Sequence, residues 1–299
     1  FGAAYANRRK GGRIVTTAVE HPSVLNAAKA LEQEGFEVVY LPVGADGEVS
    51  LEEVERAVDD STILVSMMLV NNETGAPQPV AQTAQIIRQK RSPALLHCDA
   101  VQAFGKISCN TTVLSADMIS ISGHKLHAPK GIGALWIKKG VRLIPRTYGG
   151  GQERGLRSGT ESVPLIAAFG QASEELGDMA QNYERVARLN ELCRDGLLKL
   201  GAVLNSSEKA LPYVLNFSVP GLRSEVLLHF LEARGVYVSS GSACSKGHKS
   251  HVLTAQGCSN ERIDSAIRVS FSRKNSREDV EQLLAGLKEG MDTLRRFKR

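Results

Sequence analysis

Ser122, His124 and Lys125 stand within four residues of one another, directly after the apolar run 118–121, and Pro129 closes the segment together with Gly131 and Gly133. The pattern predicts a buried strand that ends in a tight turn and presents one lysine beside a hydroxyl and an imidazole. A lysine held at a strand end among small residues is open to desolvation, which lowers its pKa and frees the amine as nucleophile or base. Such a lysine forms Schiff bases with carbonyl compounds. A surface lysine in a glycine loop is the plainer alternative, and this segment alone does not choose between them.

Three further strand ends carry polar residues: Glu20-His21 after residues 13–18, Asn71-Asn72-Glu73-Thr74-Gly75 after 63–70, and Asp99 with Gln102 after 94–98. Each has a bland reading. A histidine at a helix start is usually a cap, N-N-E-T-G makes an ordinary turn, and Asp99 after a strand can cap the next helix. Their convergence on one sheet edge is harder to dismiss. An aromatic cofactor with a ring nitrogen, a phenolic oxygen and a phosphate asks for a carboxylate, an amide, a stacking imidazole and hydroxyl donors arranged in this way.

A fifth candidate is Cys244, set in the run 239–248 of small residues, which is too polar for core. Buried structural cysteines normally have apolar neighbours. Lys246, His248, Lys249 and His251 would favour the thiolate and so its nucleophilicity. Cys244, His248, His251 and Cys258 also form a C-x3-H-x2-H-x6-C series, but the spacing matches no common zinc pattern and no metal site is expected. Cys98, Cys109 and Cys193 read as structural, and Cys258 is open.

The elements that position these residues alternate. Strands are predicted at 13–18, 36–43, 63–70, 94–98, 118–121 and 134–138. Helices are predicted from Pro22 to 34, from a capping box at Ser50 and Glu53 to 59, and over 80–90. The run 63–70 is apolar throughout, as for a strand buried on both faces of a parallel sheet. This rhythm predicts an open, mostly parallel α/β sheet between helices, whose ligands gather at the carboxyl ends of the strands. A single long helix, bent near Gly177, is expected from Val163 to about Leu200. It leads into a smaller α+β domain with a strand over 213–219 and an amphipathic helix over 224–234 that turns Val226, Leu227, Phe230 and Leu231 inward. Ser276 and Asp279 should cap the last helix.

The 299 residues, 42% of them hydrophobic, allow two domains and a sizeable core. No apolar run approaches the length of a membrane span, and the basic residues of the start follow a very short apolar piece, the reverse of a secretory signal. Five irregularly spaced cysteines without a C-x-x-C pair suggest a reducing cytoplasm. A net charge of +5 with only 5% aromatic residues argues against a nucleic-acid surface.

The motifs V-E-H-P-S-V, V-N-N-E-T-G, H-C-D-A-V-Q, S-G-H-K-x-x-x-P-K-G-I-G, G-G-G-Q-E-R-G-L-R-S-G-T-E and S-S-G-S-A-C-S stand in this order. As a set they resemble the cysteine desulfurases of the class V aminotransferase group, pyridoxal phosphate (PLP) enzymes of fold type I, and the resemblance runs from about Gly2 to the last helix. It implies a PLP-binding large domain over residues 1–180, with part of that domain ahead of Phe1, and a small C-terminal domain over 181–299 carrying Cys244. Without the segment ahead of Phe1 and its phosphate cradle, the expectation is weak cofactor binding.

The resemblance further implies that Lys125 forms the Schiff base with PLP, that Asp99 holds the pyridine nitrogen protonated, and that His21 stacks on the ring. Asn72 and Gln102 would contact the phenolic oxygen, and Ser122 and His124 the phosphate. Thr160, in the Gly-rich loop, would reach the phosphate of a neighbouring subunit in a homodimer. Arg268 would bind the carboxylate of L-cysteine, with Lys125 moving the Cα proton and Cys244 taking the sulfur as a persulfide, leaving L-alanine. A sulfur-acceptor protein, a scaffold or carrier for iron–sulfur cluster or other sulfur-containing cofactor or tRNA synthesis, would be the partner. A selenocysteine lyase or other C–S lyase, and a non-catalytic interaction subunit, stay open as alternatives.

Overall fold

The computed structural model describes residues 1–240 and 249–294, which fall into two units. The first comprises Phe1–Pro42, Val49–Leu69 and Gln78–Gly177. Its elements are α1 (Gly2–Asn7), β1 (Arg13–Thr17), α2 (Pro22–Gln33), β2 (Glu37–Leu41), α3 (Leu51–Ala57), β3 (Thr62–Met68), α4 (Val80–Gln89), β4 (Leu95–Asp99), α5 (Thr111–Leu114), β5 (Met118–Ser122), β6 (Gly133–Ile137) and α6 (Val163–Glu174). The strands form one sheet in the order β2-β1-β3-β4-β5-β6. All neighbours are parallel except β6, which runs antiparallel to β5.

Every residue of β3 is buried, as its unbroken apolar run requires of a central parallel strand. The carboxyl ends of β1, β3, β4 and β5 therefore meet on one edge, the arrangement expected from the sequence. Helix starts follow local chemistry. Pro22 opens α2, and the Ser50 hydroxyl accepts from the Glu53 N–H at 3.3 Å. The capping box expected there is only half made, because the Glu53 carboxylate pairs with Arg56 at 2.7 Å instead.

The second unit comprises Val43–Glu48, Val70–Pro77 and the chain from Asp178 onward. It contains α7 (Met179–Lys199), β7 (Val203–Leu204), β8 (Val214–Ser218), α8 (Ser224–Glu232), α9 (His251–Ala255), α10 (Asn260–Asp264), β9 (Ala266–Ser270) and α11 (Arg277–Thr293). Its strands form an antiparallel sheet, β7-β8-β9, with Leu215, Phe217 and Ile267 fully buried. Ser276 and Asp279 make both halves of the box that starts α11.

Two expectations are corrected here. The bent helix from Val163 to about Leu200 is two helices: Gly177 takes a left-handed φ of +67°, and the Asp178 carboxylate starts α7 afresh by accepting from the N–H groups of Ala180 and Gln181. On α8, Leu227 and Leu231 are buried, but Val226 is 48% exposed and does not face the core.

Cys98 and Cys193 are buried thiols, and Cys98, Cys109, Cys193 and Cys258 are all unpaired. Burial pushes the Cys109 thiol up to about 11 and that of Cys193 up to about 12. Cys258, left open by the sequence, packs against Leu253, Ile263 and Ala266. Burial raises its pKa too, which makes it a packing residue rather than a nucleophile. No helix among the described residues is long and apolar enough to cross a membrane.

Candidate active site

The site in the first unit is built from the residues that follow three parallel strands, β1, β4 and β5. After β5 the backbone turns into a short 3-10 helix, Gly123–Leu126, which closes with His127 at a left-handed φ of 65°. Only glycine fits at 123: a Cβ there would stand 2.8 Å from the Ile132 side chain. That close approach lets the chain double back into β6 and leaves Lys125 half-buried on the turn. Ser122 Oγ and His124 Nδ1 lie 2.7 Å apart. Partial desolvation, and then the positive charges of Lys125 and Lys130, push the His124 imidazole below its usual pKa. Cationic groups crowding one strand end suit an anionic group placed among them.

His21 sits at the N-cap of α2, where its Nδ1 accepts from the Ser23 N–H at 3.2 Å and lies 2.8 Å from Ser23 Oγ. Accepting at Nδ1 places the ring proton on Nε2 and fixes the plane of the imidazole. The cap reading of this histidine is thus correct as far as it goes, and it orients a ring beside His124. At the end of β4, Asp99 Oδ1 accepts from the Val101 N–H at 2.9 Å. Gln102, buried in the turn that follows, accepts from Lys106 Nζ at 3.3 Å. Thr160 is exposed. Its loop has Gly149, Gly151, Gly155 and Gly159 at positive φ, with Glu153 and Arg154 left-handed as well.

Glu20, which the sequence places at the end of the first strand without a role, is fully buried there. Its Oε1 accepts from the Met68 N–H at 2.7 Å and from the Thr17 hydroxyl at 2.9 Å. Burial, and then the charge of Asp99, push this carboxyl up to about 8 despite those bonds. A second overlooked group is His97, whose two ring nitrogens each lie 2.8 Å from a serine oxygen, of Ser66 and of Ser120. Burial holds its pKa down and so keeps it neutral. An ionisable residue just after one apolar strand, and another inside a second, were the available signals.

Two other candidates belong to the second unit. Asn72 is buried, and its Oδ1 has no hydrogen-bond partner among the described residues. Such an orphaned atom is costly unless a ligand satisfies it. Arg268, on β9, donates from Nη1 to the Asn72 carbonyl at 3.0 Å and from Nη2 to Ser239 Oγ at 3.4 Å. Cys244 lies outside the described residues, as do Lys246 and His248. Among the described residues no group of three or more His, Cys, Asp or Glu is placed to hold a metal ion.

The first unit thus presents an oriented imidazole after β1, a carboxyl group at the end of β4, and a hydroxyl–imidazole pair with a lysine after β5, all on one sheet edge. This donor set fits a flat ligand with a basic ring nitrogen, an anionic group and a carbonyl that an amine can attack.

Comparisons with known proteins run the same way. The family profile described as aminotransferase class-V matches residues 2–283. The cysteine desulfurase IscS of Methanosarcina thermophila is 40% identical over 299 aligned residues, which cover 98% of this chain and 74% of that protein. A solved structure named as a NifS-like protein superposes with a TM-score of 0.92 at 39% identity, over 98% of this chain and 78% of that one. A second, named as SspA in complex with cysteine, superposes with a TM-score of 0.77 at 33% identity, over 92% of this chain and 78% of that one.

Proposed function

We infer that this chain, which belongs to the aminotransferase class-V family, is a cysteine desulfurase that takes the sulfur of L-cysteine and leaves L-alanine. The reading is carried by the strand-end residues around Lys125, in a chain 40% identical to a cysteine desulfurase along 98% of its length. Supply of sulfur for iron–sulfur cluster assembly goes with that activity.

The cofactor we propose is PLP, and the residues present fit it. Lys125 would hold its aldehyde carbon covalently, Asp99 its ring nitrogen, and His21 its ring face. Gln102 would meet its phenolic oxygen, and Ser122 with His124 its phosphate, where the neighbouring positive charges favour an anion. When bound, PLP supplies an electron sink for negative charge at the Cα of the amino acid. Asp99 would keep a proton on the ring nitrogen, and the Lys125 amine would carry the Cα proton.

In the second unit, Arg268 would grip the substrate carboxylate and Asn72 would satisfy its orphaned oxygen on the bound ligand. The Cys244 thiolate would then attack the substrate sulfur. An S–S bond forms as the C–S bond breaks, and the electron pair stays with the carbon fragment, which takes up a proton to become alanine.

A homodimer is part of the proposal. No residue of α6 is buried although the helix begins V-P-L-I-A-A-F, and Leu135 and Trp136 of β6 are 46% and 40% exposed. Apolar surface of this extent on two elements of one unit marks an interface. Thr160 would then serve the phosphate of the other subunit. A sulfur-acceptor protein would discharge Cys244, and the unpaired cysteines favour the cytoplasm.

The test is to incubate the protein with PLP, L-cysteine and a thiol reductant and to measure alanine and sulfide. Equimolar release, lost in Lys125→Ala, is the expected result. Release of pyruvate and ammonia in place of alanine would overturn the assignment.

A further inference from the structure

The five residues Asn71-Asn72-Glu73-Thr74-Gly75 read as an ordinary turn, yet in the second unit they are held from several directions. Asn71 Oδ1 accepts from the N–H groups of Glu73 at 2.8 Å and Thr74 at 3.0 Å. Asn216 Nδ2 of β8 donates to the Glu73 carbonyl at 3.1 Å, and the Ser206 hydroxyl donates to the Thr74 carbonyl at 2.6 Å. The turn is therefore a fixed point of this unit.

Two partners of that fixed point flank the chain that carries Cys244. Upstream, Ser239 makes a two-bond antiparallel bridge to Arg268. Its N–H donates to the Arg268 carbonyl at 3.1 Å, and the Arg268 N–H donates back at 2.7 Å. Arg268 in turn donates to the Asn72 carbonyl at 3.0 Å. Downstream, the Ser250 hydroxyl donates to Glu73 Oε2 at 2.5 Å. The same hydroxyl accepts from the Leu253 N–H at 3.1 Å and so caps α9. Glu73 and Ser250 are 0% and 7% exposed. Glu73 Oε1 is buried with no partner among the described residues. A fully buried carboxylate that makes one side-chain bond is poor economy for stability alone.

We propose that Asn72 and Glu73 together form a clasp that fixes both ends of the stretch carrying Cys244, with Glu73 a positioning residue for sulfur transfer. Whatever path residues 241–248 take, the chain enters from a residue tied through Arg268 to Asn72 and leaves at a residue tied directly to Glu73. These two anchors are consecutive, so their Cα atoms are only about 3.8 Å apart. Delivery of a nucleophile depends steeply on how well it is placed, and here the described residues on either side of its stretch are both held by adjacent residues. The proposal rests on the reading of Cys244 as the sulfur acceptor and adds the residues that aim it.

The experiment uses the full chain with PLP bound and compares wild type with Ser250→Ala, Ser250→Thr, Glu73→Ala and Glu73→Gln. Three quantities are read: persulfide formed on Cys244 by mass spectrometry after mixing with L-cysteine, the absorbance change that L-cysteine produces on the cofactor, and the rate at which iodoacetamide alkylates Cys244 in cofactor-free protein. Losing a hydrogen bond to a buried carboxylate should slow persulfide formation in Ser250→Ala by about tenfold. The absorbance change should stay within about twofold, and alkylation should speed up severalfold. Ser250→Thr keeps the hydroxyl and Glu73→Gln keeps an acceptor, so both should recover most of the rate. Should Glu73→Ala fail to fold, Ser250→Ala carries the test.

Wild-type persulfide and alkylation rates in Ser250→Ala would overturn the proposal. So would an equal loss in absorbance response and persulfide formation, which marks a merely structural contact. Sulfide release that survives Cys244→Ser would strike down the acceptor assignment, and the clasp with it.

Discussion

Glu20 Oε1 accepts a hydrogen bond from the Met68 N–H at 2.7 Å, so a carboxyl group beyond β1 is stitched to the last residue of β3. The group is fully buried, and the negative charge of Asp99 is near enough to add to the effect of burial. Its pKa rises from about 4.5 to about 8. At neutral pH, therefore, Glu20 is held as a neutral acid beside Asp99.

The consequence for stability has a definite sign. Between pH 4.5 and 8 the folded state holds a proton on Glu20 that the unfolded chain releases. The contribution is fully present below pH 4.5 and is lost as pH rises through 8, a change of up to about 5 kcal/mol. Glu20→Gln is neutral at every pH and should remove this slope. Urea midpoints measured from pH 5 to 9 check it. Parallel curves for the two proteins would mean that Glu20 is ionised throughout.

Lys125 is expected to be the lysine that carries PLP. Borohydride reduction of the cofactor-bound protein, followed by peptide mapping, should place the pyridoxyl group on Lys125 alone. Lys125→Ala should bind PLP reversibly and release it on dialysis. A label on Lys130, five residues along the same turn, would overturn the assignment.

How much of this was legible without coordinates depended on the range of the interaction. The run 63–70 became β3, Thr62–Met68, because an unbroken apolar stretch has one comfortable place in a parallel sheet. Asp99 and Ser122 stood out as candidates since each is the polar residue that ends an apolar strand, and the structure places both at strand ends. The six-residue α1 escaped notice, being too short to show a period. The strand β9 was hidden by Arg268 in its middle. Val226 misled because it is apolar and adjacent to Leu227, yet falls on the solvent side of α8. The bond between Glu73 and Ser250 joins residues 177 apart in sequence. Nothing local in either residue points to the other.

Cys244→Ser should keep the PLP absorbance and its response to L-cysteine while losing reductant-dependent sulfide release by at least about a hundredfold. The hydroxyl is a far weaker nucleophile than a thiolate, and it cannot form a persulfide. Undiminished sulfide and alanine would mean that sulfur leaves without a protein acceptor.

The last expectation concerns the apolar surface of the first unit. Val163 and Ile166 on α6 are 68% and 45% exposed, and Trp136 on β6 is 40% exposed. A charge placed on such a surface costs little in a monomer but a good deal in an interface, where it is buried without a partner. Ile166→Glu should therefore leave the thermal midpoint of a dilute sample nearly unchanged while shifting sedimentation from dimer toward monomer. If Thr160 reaches the phosphate of the other subunit, the same variant should also bind PLP about tenfold more weakly, since a hydrogen bond to a charged group is worth about 1.5–3 kcal/mol. Thr160→Ala should match that loss of affinity without altering the oligomeric state. A protein that sediments as a monomer at every concentration, with full PLP affinity, would remove both the dimer and the role of Thr160.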